Sequence, residues 1–375
     1  MSLPQPATLS APDQQPRAAT SRIEALDGLR GIAIGLVLFH HTVTGALPEG
    51  RLTAMLHLFW SGVDLFLVLS GYLIGSILIK NRSSPKLFPV FYARRALRIL
   101  PLYYLTLALI FFKLHGQAGD WAPGWYYLSF TSNVWIAMAN SWHFLPLAIT
   151  WSLAVEEQFY LVAPLVCRFT PRKYLGWVIA SGCLLPWIAR CLLLLGPESW
   201  RLSGHVLTPF RADSFAFGML VAWSVITPEG QSLRTFLTRH WRVLAGVSAL
   251  GVAALLFRNT AEASPDALLY GYTALASFWA VIVAAAVNSR SIPFLRVARL
   301  SGLCHLGRHA YFIYLWHGIV ITSLHTRIAE WGLTIGLGGV PLVAVAEIGI
   351  TWGLATLSWK LFENPFIKLG HRLEY

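Results

Sequence analysis

The chain has 375 residues, 56% of them apolar and only 12% charged, against roughly a quarter charged in soluble domains, which excludes an ordinary soluble enzyme of two or three domains. The net charge of +12 would suit a nucleic-acid binder, but the basic residues fall between apolar runs rather than on one face. Cys167, Cys183, Cys191 and Cys304 show neither metal-ligand spacing nor a disulfide framework, so no metal is expected.

Residues 1–22 are rich in Pro, Gln, Ala and Ser and predict a disordered cytoplasmic tail. No apolar stretch with a small-residue cleavage site follows the basic residues, so they do not form a signal peptide. Ten apolar segments follow, at about 29–47, 57–79, 97–115, 148–167, 174–195, 212–227, 243–257, 267–287, 309–326 and 334–358. Most approach the ~20 residues a helix needs to cross a bilayer. The sequence therefore predicts an all-α, polytopic integral membrane protein, with one transmembrane domain over 23–366 and a short cytoplasmic tail over 367–375. The stretch 125–140 is apolar and aromatic but carries Asn133 and several hydroxyls, and is placed as an external or re-entrant element.

With the N-terminus inside, the tail, internal loops and C-terminus hold 22 of the 29 Lys and Arg. Only Arg51, Lys113, Arg190, Arg201, Arg211, Arg258 and Arg327 fall in the external connections. This is the positive-inside asymmetry, and ten crossings place both termini in the cytoplasm.

Polar groups inside spanning segments are costly and mark candidate function, although each can also serve as interhelical packing glue. In the first segment Arg30 and His41 are eleven residues apart, three helical turns plus about 20°, so they share a face roughly 16 Å apart along the axis. Arg30 then sits at the cytoplasmic entrance, where it suits a donor's phosphates. His41 sits near mid-membrane, where a neutral imidazole can take a proton from a hydroxyl. The bland alternatives are a topology arginine and a hydrogen-bonded packing histidine, and His40, about 100° away, competes for the basic role. Asp64 lies in the outer half of the second segment, where Gly71 and Gly75 form a small-residue packing face. Arg94, Arg95 and Arg98 then crowd with Lys80, Arg82 and Lys86, more than topology requires, and suit lipid headgroups or a nucleotide-like donor. Arg95 and Arg98 face the same way at i, i+3.

Ser152, Glu156 and Tyr160 recur every four residues and put a polar stripe on an apolar helix, while Glu157 points elsewhere and is placed at the interface. Arg211 and Asp213 open the sixth segment, His317 lies mid-way along the ninth, and Glu347 is in the outer half of the last. His305 and His309 are four apart without the ligand set of a metal site.

Taken in order, RIEALDGLRGIAI with His40–His41, GVDLFLVLSGYLI, FYARRALRILPLYY, WSLAVEEQFYLVAP, FRADSFAFG, YFIYLWH and FENP resemble the acyltransferase-3 family of membrane acyltransferases over residues 22–366. The resemblance implies about ten helices in a bacterial inner membrane and transfer of acetyl or another short acyl group from acyl-CoA to an extracytoplasmic or lipid-linked acceptor. The family's Arg-x10-His pattern falls on Arg30 and His41, favouring His41 over His40. Its Arg-x-x-Arg pattern falls on Arg95 and Arg98, and its Ser-Gly-Phe-Leu element appears as Ser70-Gly71-Tyr72-Leu73, with Tyr in place of Phe. Some relatives carry an added esterase-like domain, so this chain resembles the stand-alone form.

The expected mechanism places acyl-CoA phosphates on Arg30, Arg95 and Arg98. His41 acts as general base on a carbohydrate or glycolipid hydroxyl, or carries the acyl group briefly, with Asp64 or Glu156 orienting the imidazole as in a hydrolase triad. A transporter exporting a lipid-linked or acylated sugar is the alternative, but the inverted repeats that would mark one are not visible. The acceptor and the acyl length stay open.

Overall fold

The computed structural model describes residues 18–44, 47–48, 50–113, 122–142, 145–258, 261–288, 293–333 and 335–375. Among these residues the chain is helical and contains no strand. Ten helices of 17 residues or more carry the ten predicted segments: α1 (Ala18–Thr42), α2 (Gly62–Asn81), α3 (Leu87–Lys113), α4 (Thr150–Phe169), α5 (Arg172–Leu193), α6 (Thr208–Ile226), α7 (Gln231–Arg258), α8 (Tyr272–Asn288), α9 (Ala310–Glu330) and α10 (Val340–Ser358).

Six helical stretches are long and apolar enough to cross a membrane by length and composition: Arg51–Asn81, Leu87–Lys113, Arg172–Leu193, Pro228–Arg258, Ala267–Asn288 and Val340–His371. They make the chain a multi-pass integral membrane protein. The long helices outside that set are α1, α4, α6 and α9. These bear the polar groups singled out above, Arg30 and His41, Glu156, Arg211 and Asp213, and His317.

In lipid, close packing rather than water exclusion holds helices together, so small residues decide where they meet. α2 packs against α1, α4, α6 and α8, and its pairing with α6 is the most extensive in the molecule. A Cβ added at Gly71 would lie 2.1 Å from the carbonyl oxygen of Phe215 on α6, and one at Gly218 would lie 2.1 Å from that of Val68 on α2. The two backbones therefore approach through reciprocal glycines. α6 also packs on α5, α7 on α8, and α9 on α10, while α1 lies against the short helix Ser301–Arg308. α7 is the outlier, with Val243, Val247 and Leu250 exposed along an apolar face, as a helix fronting lipid requires.

Several boundaries differ from the sequence reading. α1 begins at Ala18, inside the stretch read as tail, and residues 1–17 of that tail lie outside the described residues. The stretch 125–140 forms two short helices, Gly124–Leu128 and Ser132–Ala139, neither long enough to span. Buried Asn133 in the second donates to the carbonyl of Val206 at 3.2 Å and bonds Gln158, which explains a polar residue in an apolar run. After α10 a π-helical turn over Trp359–Glu363 leads into the helix Asn364–His371, which packs on α3, so residues 367–371 are helical.

Candidate active site

Four elements each bring guanidinium or carboxylate groups to one cavity of about 120 Å³. α1 contributes Arg30, α3 Arg95 and Arg98, and the short helix Ser301–Arg308 contributes Arg308; α4 supplies Glu156, the one acidic group among the described lining residues. Four positive charges against one negative create a site that favours a polyanion. Asp27 holds Arg30 at 3.2 Å, and the Arg95 guanidinium lies 5.6 Å from the ring centroid of Tyr160. Both contacts orient the cations without neutralising the cavity.

The opposite wall is the polar stripe of α4. Ser152, Glu156 and Tyr160 all line the cavity, as does Ser70 of α2. Glu156 accepts hydrogen bonds from the hydroxyls of Ser70 and Tyr160. The Ser152 and Tyr314 hydroxyls lie 2.5 Å apart, tying α4 to α9. Tyr72, two residues on from Ser70 and so on the far side of the helix, instead packs with the apolar side chains between α2 and α6.

His41 is not among the residues lining this cavity; it lies beyond Tyr314. Its Nδ1–H donates to the Val37 carbonyl at 2.9 Å. A carbonyl can only accept, so in the neutral ring the lone pair is on Nε2. The residue is exposed, as is Arg98 in the cavity. His317 and His40 each stand 4.9 Å from His41 between ring centroids, and His57 stands 5.5 Å from His40. His317 in turn lies 5.7 Å from the ring of Tyr314, which lines the cavity. The arginine cavity and the imidazole row are therefore linked by side-chain packing through Tyr314 and His317.

The carboxylates expected beside His41 make their contacts elsewhere. Asp64 is fully buried and takes the Arg211 guanidinium at 2.6 Å, with Ser214 also donating to it. Asp213, likewise buried, takes Arg190 at 2.6 Å and Thr273 at 3.2 Å. These two ion pairs join α2, α5 and α6, and Thr273 adds α8. Glu156 accepts from Ser70 and Tyr160. Glu157 is half-buried, and its Oε1 is buried without a hydrogen-bond partner among the described residues.

Three participants were not singled out from sequence. Arg308 sits in a basic internal loop, where topology alone accounts for it. Arg190, counted among the external residues, lies fully buried in the last turn of α5; a lone arginine within the apolar run LLPWIARCLLLL was its available signal. His205 is buried among Trp60, Trp142, Trp151 and Tyr272, and nothing in its loop sequence marks it. His305 accepts the indole N–H of Trp352 at 2.9 Å. Burial, with His309 and Arg308 beside it, holds its pKa below the usual value. Among the described residues no cluster of three or more His, Cys, Asp or Glu could hold a metal.

The family model described as an acyltransferase domain matches residues 23–359. The chain belongs to the acyltransferase-3 family. Its similarity extends to the O-acetyltransferase OatA of Staphylococcus aureus (strain NCTC 8325 / PS 47), 28% identical over 93% of this chain. It extends also to the peptidoglycan O-acetyltransferase OatA of Listeria monocytogenes serovar 1/2a, 26% identical over 94% of this chain. The matched regions cover 58% and 57% of those two relatives, so this acyltransferase-3 chain spans under two thirds of their length. No solved structure matches the chain.

Proposed function

We propose that the protein is an O-acyltransferase moving an acyl group, acetyl in the first instance, from cytoplasmic acyl-CoA to a hydroxyl of a carbohydrate or glycolipid. The observation that carries this reading is α1 itself. One rigid helix presents Arg30 to the arginine cavity and, roughly 16 Å further along, His41 with its Nε2 lone pair free.

Arg30, Arg95, Arg98 and Arg308 hold the donor's phosphates through charge-assisted, forked hydrogen bonds. The pantetheine arm runs past Ser70, Ser152 and Tyr314, leaving the thioester near the imidazoles. His41 Nε2 takes the proton of the acceptor hydroxyl as its oxygen bonds to the acyl carbon. The carbon–sulfur bond breaks, and the imidazolium returns that proton to the CoA thiolate. Such proton transfer contributes typically ~10²–10⁴-fold in rate. Ten crossings of a bacterial inner membrane with both termini cytoplasmic put the arginine cavity at the donor's side, and the distribution of 22 of 29 Lys and Arg supports that orientation. Because the Listeria relative is named a peptidoglycan O-acetyltransferase, peptidoglycan fragments and their lipid-linked precursors are the first acceptors to try.

The test is transfer of radiolabel from acetyl-CoA in liposomes carrying purified protein and candidate acceptors. Wild type labels a glycan or glycolipid fraction, and His41→Ala abolishes labelling without loss of folded protein. A His41→Ala protein working at the wild-type rate overturns the assignment. A transporter would label nothing.

A further inference from the structure

The contacts of His317 are those of a chemical group rather than a packing one. It is fully buried in α9, and its Nδ1–H is committed to the backbone carbonyls of Tyr314 at 2.7 Å and Ile313 at 3.2 Å. Carbonyls accept only, so this ring too carries its lone pair on Nε2. That nitrogen is buried without a hydrogen-bond partner among the described residues. A buried orphan acceptor is costly, by about 1–3 kcal/mol, and such atoms in native proteins call for an explanation. The neighbour that can supply a proton is His41, 4.9 Å away between ring centroids, whose Nδ1–H is already held by the Val37 carbonyl.

Resting on the reading of His41 as general base, we infer that His317 is its proton-sharing partner: once His41 Nε2 has taken the acceptor's proton, the orphan Nε2 of His317 shares that Nε2–H as a hydrogen-bond acceptor until it passes to the thiolate. In hydrolase triads a carboxylate accepts the N–H on the far side of the base; here the Val37 carbonyl holds that side, and the second, neutral imidazole acts on the reacting side. The carboxylates at hand are otherwise engaged, Asp64 by Arg211 and Glu156 by Ser70 and Tyr160. A neutral partner has a consequence that an aspartate would not: the resting pair carries no charge, and charge appears only when His41 is protonated during the reaction. No bond to His317 forms or breaks. The proton passes from the hydroxyl oxygen to His41 and on to the leaving thiolate, and His317 lowers the energy of the state between. The titratable groups facing it are His41 and His40 from α1, with Tyr314 on its own helix.

Two substitutions separate this from a packing role. His317→Asn keeps an amide N–H for the backbone carbonyls but removes the acceptor beside His41. His317→Gln extends an amide oxygen toward the position of Nε2. In liposomes with acetyl-CoA and a working acceptor, His317→Asn is expected to lower kcat roughly 10–100-fold, a part of the ~10²–10⁴-fold available to general base catalysis, with KM for acetyl-CoA within about twofold. Losing an acceptor for the imidazolium weakens His41 as a base, so the acidic limb of the kcat profile moves to lower pH. His317→Gln should recover most of the loss and return the limb toward its wild-type position. His317→Asn at wild-type kcat overturns the inference. So does equal impairment of both variants with an unmoved limb, the result a structural role gives. If either variant is isolated unfolded, the same comparison is read from the other against wild type. His41→Ala run in parallel keeps the two claims apart: activity there sinks the general-base reading, whereas an inactive His41→Ala beside a fully active His317→Asn sinks this inference alone.

Discussion

Asp64 gives the sharpest test of what the buried charges are for. Its carboxylate and the Arg211 guanidinium are both fully buried and 2.6 Å apart, and Arg211 also stacks 4.0 Å from the ring centroid of Tyr272. Replacing Asp64 by Leu strands the guanidinium in a low-dielectric core. Removing one partner of such a pair costs about 3–5 kcal/mol, against a total of roughly 5–15 kcal/mol for a folded domain. At 1.4 kcal/mol per tenfold the folding equilibrium should move by ~10²–10³·⁵. Arg211→Met alone should cost a similar amount by stranding Asp64. The double variant Asp64→Leu/Arg211→Met strands neither charge of the pair, so its cost should fall short of the sum of the singles by at least ~2 kcal/mol. Denaturant or thermal unfolding in detergent micelles reads the stabilities, and acetyl transfer in liposomes reads function. A structural pair leaves the folded double variant within about tenfold of wild-type activity. Additive singles, or a well-folded but dead double variant, would refute the structural assignment and return Asp64 to the catalytic list.

Arg308→Gln should raise KM for acyl-CoA with kcat little changed, because one charge-assisted hydrogen bond to phosphate is worth about 1.5–3 kcal/mol, roughly 10–150-fold, and steady-state titration of acetyl-CoA checks it. Gly71→Ala pushes a methyl to within 2.1 Å of the Phe215 carbonyl, so α2 and α6 must separate; overpacking of this kind costs about 1–3 kcal/mol, visible as a lowered unfolding temperature. Glu156→Gln keeps the hydrogen-bonding shape of the α4 stripe but removes the one carboxylate that lines the cavity with the four arginines. It is expected to tighten donor binding while Ser70 and Tyr160 lose their acceptor's charge, and equilibrium binding of CoA reads the change.

Much of the architecture was legible because it rests on local rules. Runs of apolar residues of about the right length gave the long helices, and the i, i+4 recurrence of Ser152, Glu156 and Tyr160 put all three on one wall. The Arg30–His41 spacing needed only helical geometry. Partners across helices were the illegible part. Asp64 and Arg211 are 147 residues apart in sequence, and nothing local says that the aspartate finds a guanidinium before an imidazole does. The surroundings of Glu157 are illegible for the same reason, because the helix period says only that it leaves the stripe of Glu156, not what stands on the other side. Arg308 was hidden by a different effect: a cationic loop is what the positive-inside rule predicts, so a functional arginine there adds no signal.

The division between apolar and polar helices has a mechanical meaning. α1, α4, α6 and α9 carry Arg30, His40, His41, Glu156, Arg211, Asp213 and His317, and they lie outside the six stretches that composition marks as membrane-crossing, whereas Asp64, Arg95, Arg98 and Arg190 lie within those stretches. Such helices are held where they are by their neighbours: α1 by α2 and the short helix Ser301–Arg308, α6 by reciprocal glycines against α2 and by the Arg190–Asp213 pair to α5. Each polar group is thereby fixed before any substrate arrives, which is the condition under which a low-dielectric site strengthens its electrostatics instead of being solvated away. Among the buried polar atoms left without a hydrogen-bond partner, the His317 Nε2 is the one that stands beside the imidazole where positive charge would arise in the proposed reaction.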